Sequence, residues 1–193
     1  MFKYKIIDDF FEKKDFLKLK AVVDNKEKLS ALTNDNYIKI DLDDEHEKDL
    51  IKRYQDKLFE YLNELNPIKK NFVDYSTVSI GVCGKDYKYP IHTDSLRKVI
   101  TAVIYLSPEK NSGTFIYDSK KENPKEIEWK INRAFIFSRK EKSTHHSFGG
   151  DGINHRCVIN FNLETKKIDK AEILDRGIII FIINKVKSFL SKK

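Results

Sequence analysis

Two periodicities divide the chain. Up to Asn66 apolar residues recur mainly at helical spacing, and from Phe72 to Leu163 they alternate as in strands. At the start, Tyr4 and Ile6 alternate with lysines and predict a short strand over residues 3–8. Asp8 and Asp9 can cap a helix after that strand, and Phe10, Phe11, Phe16, Leu17 and Leu19 predict one or two short helical turns. Residues 21–32 read as a weakly patterned helix, 34–36 as a turn and 37–42 as a strand. The clearest helix opens at Asp44, which with Glu47 has the form of a capping box. Leu50, Tyr54, Leu58, Tyr61, Leu62 and Leu65 then share one face, and Asn66-Pro67 ends the run. Such a helix packs on the outer face of a sheet.

Strands are predicted over 72–80, 87–92, 98–106, 114–118, 126–129, 134–138, 144–148 and 156–163. Gly81, Gly84, the 107–113 loop, the 120–125 connection and Gly149, Gly150 and Gly152 punctuate them. The 98–106 run is rich in β-branched residues and reads as buried. Many short strands after a helical start predict a mainly β domain with flanking α-helices, its strands forming a two-sheet antiparallel barrel. In the last strand Arg156 shares a face with Val158, Asn160 and Asn162, while Cys157, Ile159, Phe161 and Leu163 form an apolar face that belongs against the helices. Residues 1–168 thus form one domain, and 169–193 a C-terminal amphipathic helix. There Ile178, Phe181, Ile182, Val186, Phe189 and Leu190 fall at helical spacing, with Lys185, Lys187, Lys192 and Lys193 on the other side or at the end. Its apolar run is too short to span a bilayer, so it is expected on the domain, on a second subunit or on a membrane surface.

A length of 193 residues suits a single domain. Cys83 and Cys157 lie far apart and suggest no disulfide framework, and the opening residues lead into a strand rather than a signal peptide. A reducing, cytoplasmic setting is the expectation. The formal net charge of +7 raises the question of a nucleic-acid partner. Lysines are spread through the chain among acidic residues, and no dense basic run is interleaved with aromatics, so there is no clear nucleic-acid signal.

The candidate chemistry centres on His92-Thr93-Asp94. A histidine and a carboxylate two residues apart can turn to the same side of a strand and fix two corners of a metal site. His145 or His146 can supply a third ligand; neighbours on a strand face opposite ways, so only one of them can. Two histidines and a carboxylate leave open positions, as in non-haem Fe(II) oxygenases. Arg156, ten residues after His146, offers a planar fork of donors suited to a carboxylate, either of a ligand or of an internal Asp or Glu.

His92-x-Asp94, the run from Val99 to Leu106, Gly113-Thr114-Phe115, His146 and Arg156, in that order, resemble the 2-oxoglutarate- and Fe(II)-dependent dioxygenases, and most of all their prolyl-4-hydroxylase-like branch. The resemblance covers residues 72–163, about half the chain. It implies a double-stranded β-helix, also described as a jelly roll or cupin-like barrel. It implies Fe(II) held by His92, Asp94 and His146, with Arg156 anchoring the far carboxylate of 2-oxoglutarate and O2 as the other cosubstrate. Thr101 and Tyr105, four apart and so on one face of a strand, are implied to hydrogen-bond the cosubstrate or line its pocket. The implied reaction hydroxylates a C–H bond, as in an amino-acid side chain free or in a protein, and releases succinate and CO2. The substrate would be a small molecule or a peptidyl group. Asp94 stands where the halogenating relatives have a small residue, which argues against that chemistry. Tyr87, Tyr89, Arg97 and Lys98 are candidates for the cavity border, and 37–47 and 85–89 for the rim. Two other classes compete: a non-catalytic β-barrel binding module for an anionic ligand or nucleic acid, and a cupin-like metal enzyme that needs no 2-oxoglutarate.

Overall fold

A computed structural model describes residues 2–24 and 29–190. Residues 25–28, Lys192, Lys193 and the side chains of Val186 and Phe189, which the sequence places on predicted helices, lie outside the described part. The elements run β1 (Lys5–Ile7), α1 (Lys13–Asp24), β2 (Tyr37–Asp41), α2 (Asp44–Leu65), a 3-10 turn (Pro67–Phe72), β3 (Tyr75–Cys83), β4 (Lys88–His92), β5 (Lys98–Ser107), β6 (Thr114–Ile116), β7 (Lys125–Ile127), β8 (Ala134–Phe137), β9 (His146–Gly149), β10 (Arg156–Glu164), α3 (Ile168–Arg176) and α4 (Ile178–Leu190).

From β3 onward the chain crosses repeatedly between two antiparallel sheets. The larger has the order β1-β8-β5-β10-β3-β2 and the smaller β4-β9-β6-β7. This is the winding of a double-stranded β-helix. The two-sheet antiparallel arrangement with flanking helices is the one expected from the sequence, and among the described residues both sheets are open, without a closed barrel.

Two apolar clusters hold the layers together. The outer one joins the helices to the large sheet: Leu50, Leu58 and Leu62 of α2 and Leu19 of α1 are fully buried with Ile80, Ile100 and Ile159. The alternation expected for β10 holds, since Cys157, Ile159, Phe161 and Leu163 all belong to this cluster. The inner cluster, with Tyr105, Ile116, Ile127, Trp129, Phe135, Phe137 and Val158, cements one part of the space between the sheets. The rest of that space is an open cavity.

Local details depart from the sequence reading. Phe10 and Phe11 precede α1 instead of opening it; they are buried and held by Asn132, whose amide donates to Phe11 O and accepts from Phe11 N–H at 2.8 and 3.0 Å. The cap of α2 is Asp43, one residue earlier than expected. Asp43 is extended (φ −64, ψ 152), and its carboxylate accepts the His46 N–H at 2.8 Å. Glu47 is thereby released from capping and accepts the Val78 N–H at 2.8 Å, tying α2 to β3. The C-terminal segment is two helices rather than one, because Gly177 sits at φ +90, a conformation open to glycine that ends a helix. α3 docks on the domain through Ala171 and Asp175. α4 leaves Ile178, Ile179, Ile182 and Ile183 exposed.

Candidate active site

The cavity between the sheets has a volume of about 620 Å³, within the usual range for small-molecule sites. His92, Asp94 and His146 meet at its wall, with one ligand atom from each lying within 4.8 Å of the others. His92 ends β4 and His146 opens β9; the two are directly paired across the small sheet, which brings their rings to 4.2 Å. Asp94 is placed differently from expectation. β4 ends at His92, so strand alternation does not orient Asp94. The loop after β4 carries it, and two contacts fix it there. The Thr101 hydroxyl donates to Asp94 Oδ2 at 2.6 Å, and Arg139 Nε donates to Asp94 O at 2.5 Å. Asp94 Oδ1 then lies 3.9 Å from His92 Nε2 and 3.8 Å from His146 Nε2.

The two histidines are oriented alike. His92 Nδ1 lies 3.0 Å from Pro90 O, and His146 Nδ1 lies 3.0 Å from Thr144 O. A carbonyl can only accept, so both Nδ1 atoms carry the proton and both Nε2 lone pairs face the shared centre. Burial pushes the His146 imidazole down to about 4 and lowers His92 as well, so both are neutral near pH 7. Burial alone would raise the Asp94 carboxyl. The Lys98 ammonium and the Thr101 hydroxyl instead hold it below its ordinary value, and it is a carboxylate. Two neutral imidazoles and a carboxylate suit a divalent first-row metal such as Fe(II). His145 faces away, toward the charges of Lys121, Glu141 and Asp118, and His155 is exposed.

Arg156 is the largest fully buried side chain, and it lines the same cavity. Its guanidinium carbon lies 5.0 Å from the ring centre of Phe148, 5.4 Å from Trp129 and 5.5 Å from Tyr105. Its polar contacts are neutral: Nη2 donates to Thr114 Oγ1 at 3.0 Å, and the Cys83 thiol lies alongside. Nε has no partner, and among the described residues no carboxylate pairs with the group. A buried cation left this way suits an anion from outside the chain.

Thr101 and Tyr105 do share a face of β5, but they do different things. Thr101 lines the cavity and spends its hydroxyl on Asp94. Tyr105 is 0 % exposed and lies behind the wall, its hydroxyl placed 3.1 Å from Thr114 Oγ1 and 3.0 Å from Ile127 O. It reaches the cavity only through Thr114 and through its ring beneath Arg156. Thr101→Val, which keeps shape and removes the donor, is expected to weaken metal binding about 10–100-fold with little change in melting temperature. Metal titration of the two proteins checks this.

Of the other lining residues, the sequence marks Tyr37 only within a rim stretch and Asn160 only as sharing the face of Arg156, and it does not single out Thr114 or Glu164. The Tyr37 phenol reaches across β3 to Asn160, over Gly81. A Cβ at Gly81 would sit 2.2 Å from that hydroxyl, so glycine is required there. Thr114 lines the cavity too, and its signal was present in Gly113-Thr114-Phe115. Glu164 lies one residue beyond the predicted end of the last strand.

No protein-family model matches the sequence, and no curated protein matches it. Solved structures do match. A prolyl-4-hydroxylase from Pseudomonas putida is similar with a TM-score of 0.63 at 14% identity, over 86% of this chain and 94% of that one. A viral collagen prolyl hydroxylase from Paramecium Bursaria Chlorella virus-1, in complex with 2-oxoglutarate, gives 0.58 at 17% identity, over 84% and 96%. HygX from Streptomyces hygroscopicus, with nickel and 2-oxoglutarate bound, gives 0.58 at 10% identity, over 86% and 84%. The fold is that of the prolyl-4-hydroxylases, a double-stranded β-helix whose cavity here carries a His-Asp-His cluster and a buried arginine.

Proposed function

We propose that the protein is an Fe(II)- and 2-oxoglutarate-dependent dioxygenase that hydroxylates a C–H bond of its substrate. The observation that carries this is Arg156: a fully buried cation with no anionic partner among the described residues, facing the cavity that holds the triad. A triad alone would suit a cupin-like metal enzyme, and an arginine alone would suit an anion-binding module. Together they match a cosubstrate that binds metal at one end and carries a carboxylate at the other. That two of the similar structures contain 2-oxoglutarate supports the reading.

His92, Asp94 and His146 hold the metal in this reading. The bound metal and 2-oxoglutarate supply activation of O2 and oxidation of the C–H bond, with succinate and CO2 as coproducts. The protein supplies the rest. Arg156 and Thr114 fix the far carboxylate; Phe148, Trp129 and Tyr105 keep water from the guanidinium, which strengthens that contact. Pro90 O, Thr144 O and Thr101 lock the ligands in their binding orientation. Truncating one partner of a buried charge pair costs about 2–5 kcal/mol, so Arg156→Ala is expected to raise the KM for 2-oxoglutarate roughly 30-fold or more with iron affinity retained. Succinate release at varied 2-oxoglutarate tests this. Turnover that tolerates the substitution favours the cupin-like reading.

The substrate in this reading is a small molecule or a peptidyl side chain. Cys83 and Cys157 are free and buried, which suits a reducing cytoplasm. No described helix is long and apolar enough to cross a membrane. The exposed isoleucines of α4 support contact with a second subunit or a membrane surface.

A further inference from the structure

The cavity extends well past the triad. Its floor follows β10, where Arg156, Val158, Asn160, Asn162 and Glu164 face inward. Arg156 and Glu164 are eight residues apart, roughly 26 Å along the strand. Asn162 pairs with Thr101 on β5 and with Thr77 on β3, and Thr101 holds Asp94. Asp94 therefore sits near the level of Asn162. A five-carbon diacid held at Arg156 leaves the Glu164 end free.

That end presents acceptors. The Tyr75 hydroxyl donates to Glu164 Oε2 at 2.9 Å, and the Thr77 hydroxyl to Oε1 at 3.0 Å. Having given its one proton to Glu164, Thr77 can only accept from Asn162, whose Nδ2 lies 3.4 Å away. This chain of bonds turns Asn162 Oδ1 away from Thr77, and that atom is buried with no partner. Asn162 is 5% exposed and Glu164 8%. Arg97 Nε pairs with Glu164 Oε2 at 3.8 Å from a side chain that is 63% exposed, and Arg97 and Lys98 line the same cavity. A largely buried carboxylate met by two hydroxyls and an exposed arginine, beside an orphaned carbonyl oxygen, suits a positively charged donor from the cavity.

Resting on the dioxygenase reading above, we propose that the Asn162–Glu164 end binds a cationic nitrogen of the substrate, an ammonium or a guanidinium, and so presents a carbon near that nitrogen to the metal. Glu164 is then a specificity residue: it selects ammonium and guanidinium groups over their neutral acyl or urea counterparts.

The test uses pairs of probes in which that charge is kept or removed: the near-isosteric Nα-acetyl-arginine amide against Nα-acetyl-citrulline amide, and, with an added acetyl group on the neutral member, Nα-acetyl-lysine amide against its Nε-acetyl form and leucine against N-acetyl-leucine. Each is titrated anaerobically into protein loaded with Fe(II) and 2-oxoglutarate, then assayed in air for succinate and a product heavier by one oxygen. At least one cationic probe is expected to bind ten times more tightly than its partner. Glu164→Gln and, independently, Asn162→Leu are expected to reduce that preference to threefold or less, both variants keeping the visible band of the loaded protein. The proposal is overturned if no cationic probe binds at 10 mM, if the neutral partners bind as well, or if the preference survives Glu164→Gln. Absence of the band in the unaltered protein is a separate result and counts against the dioxygenase reading itself.

Discussion

Alanine at His146 is expected to remove iron binding and 2-oxoglutarate turnover together. His146 is 4% exposed, its imidazole is neutral with its acid form pushed down to about 4, and its Nδ1–H is committed to Thr144 O. No neighbour can replace it. His145 faces other charges, and the remaining pair, His92 and Asp94, offers two ligands where the proposed site uses three. Loss of a group that merely supports a ligand costs about 10–100-fold in affinity or activity, and loss of the ligand exceeds that. Turnover should fall below detection, and iron should not copurify stoichiometrically. His145→Ala, by contrast, should keep both. Iron content and succinate release measured on the two variants decide the matter. An His146→Ala protein with full iron and turnover, or an His145→Ala protein that lost them, would show that the wrong histidine has been assigned.

The second large effect lies away from the cavity, at Asp175 on α3. Asp175 is buried and pairs with Lys69 Nζ at 3.2 Å and with the Arg139 guanidinium. Arg139 is itself buried, pairs with Glu141, and donates to the backbone carbonyl of Asp94. The C-terminal helix thus braces the loop that carries a triad carboxylate. Asp175→Asn leaves two buried cations short of a charge, which costs about 3–5 kcal/mol. In a chain of this size that lowers the melting temperature by roughly 6–20 °C. Metal affinity should drop as well, because Arg139 is freed to leave Asp94. The exposed pair between Lys185 and Asp169, on the same C-terminal segment, serves as the control: Lys185→Ala should change stability by about 1 kcal/mol or less. Thermal melting and metal titration of both variants check these outcomes. Unchanged melting in Asp175→Asn would detach the tail from the domain's stability.

Why was so much of the site legible, and the rest not? β10 was readable because alternation is a local signal. One arginine set the parity, and the apolar face of Cys157, Ile159, Phe161 and Leu163 confirmed it before any partner was known. The spacing of His92, Asp94, His146 and Arg156 was local enough in two blocks to be recognised, although only the antiparallel pairing of β4 with β9 brings the blocks together. What sequence could not show were contacts between segments that share no pattern. Nothing near Asp94 announces that Thr101 and Arg139 fix it in place of a strand. Nothing in the tail announces that Asp175 meets Arg139, and the helical spacing there concealed the break at Gly177. Parity puts Tyr105 on the inward face of β5 but cannot give its depth, and its hydroxyl lies behind the cavity wall at Thr114 and Ile127 O. Glu164 fell just past a predicted strand end, where hydrophobic alternation loses its last apolar residue at Leu163. The cap of α2 moved to Asp43 since three acidic residues stand in a row and only backbone conformation selects among them.

The central claim, that this cavity binds Fe(II) and 2-oxoglutarate together, is tested most directly by anaerobic titration of the metal-free protein with both while the weak visible charge-transfer band is monitored. A band that appears only when both are present, and is lost in His146→Ala and Arg156→Ala, is the predicted result. Iron that binds with no band on adding 2-oxoglutarate, or iron that does not bind at all, would contradict it.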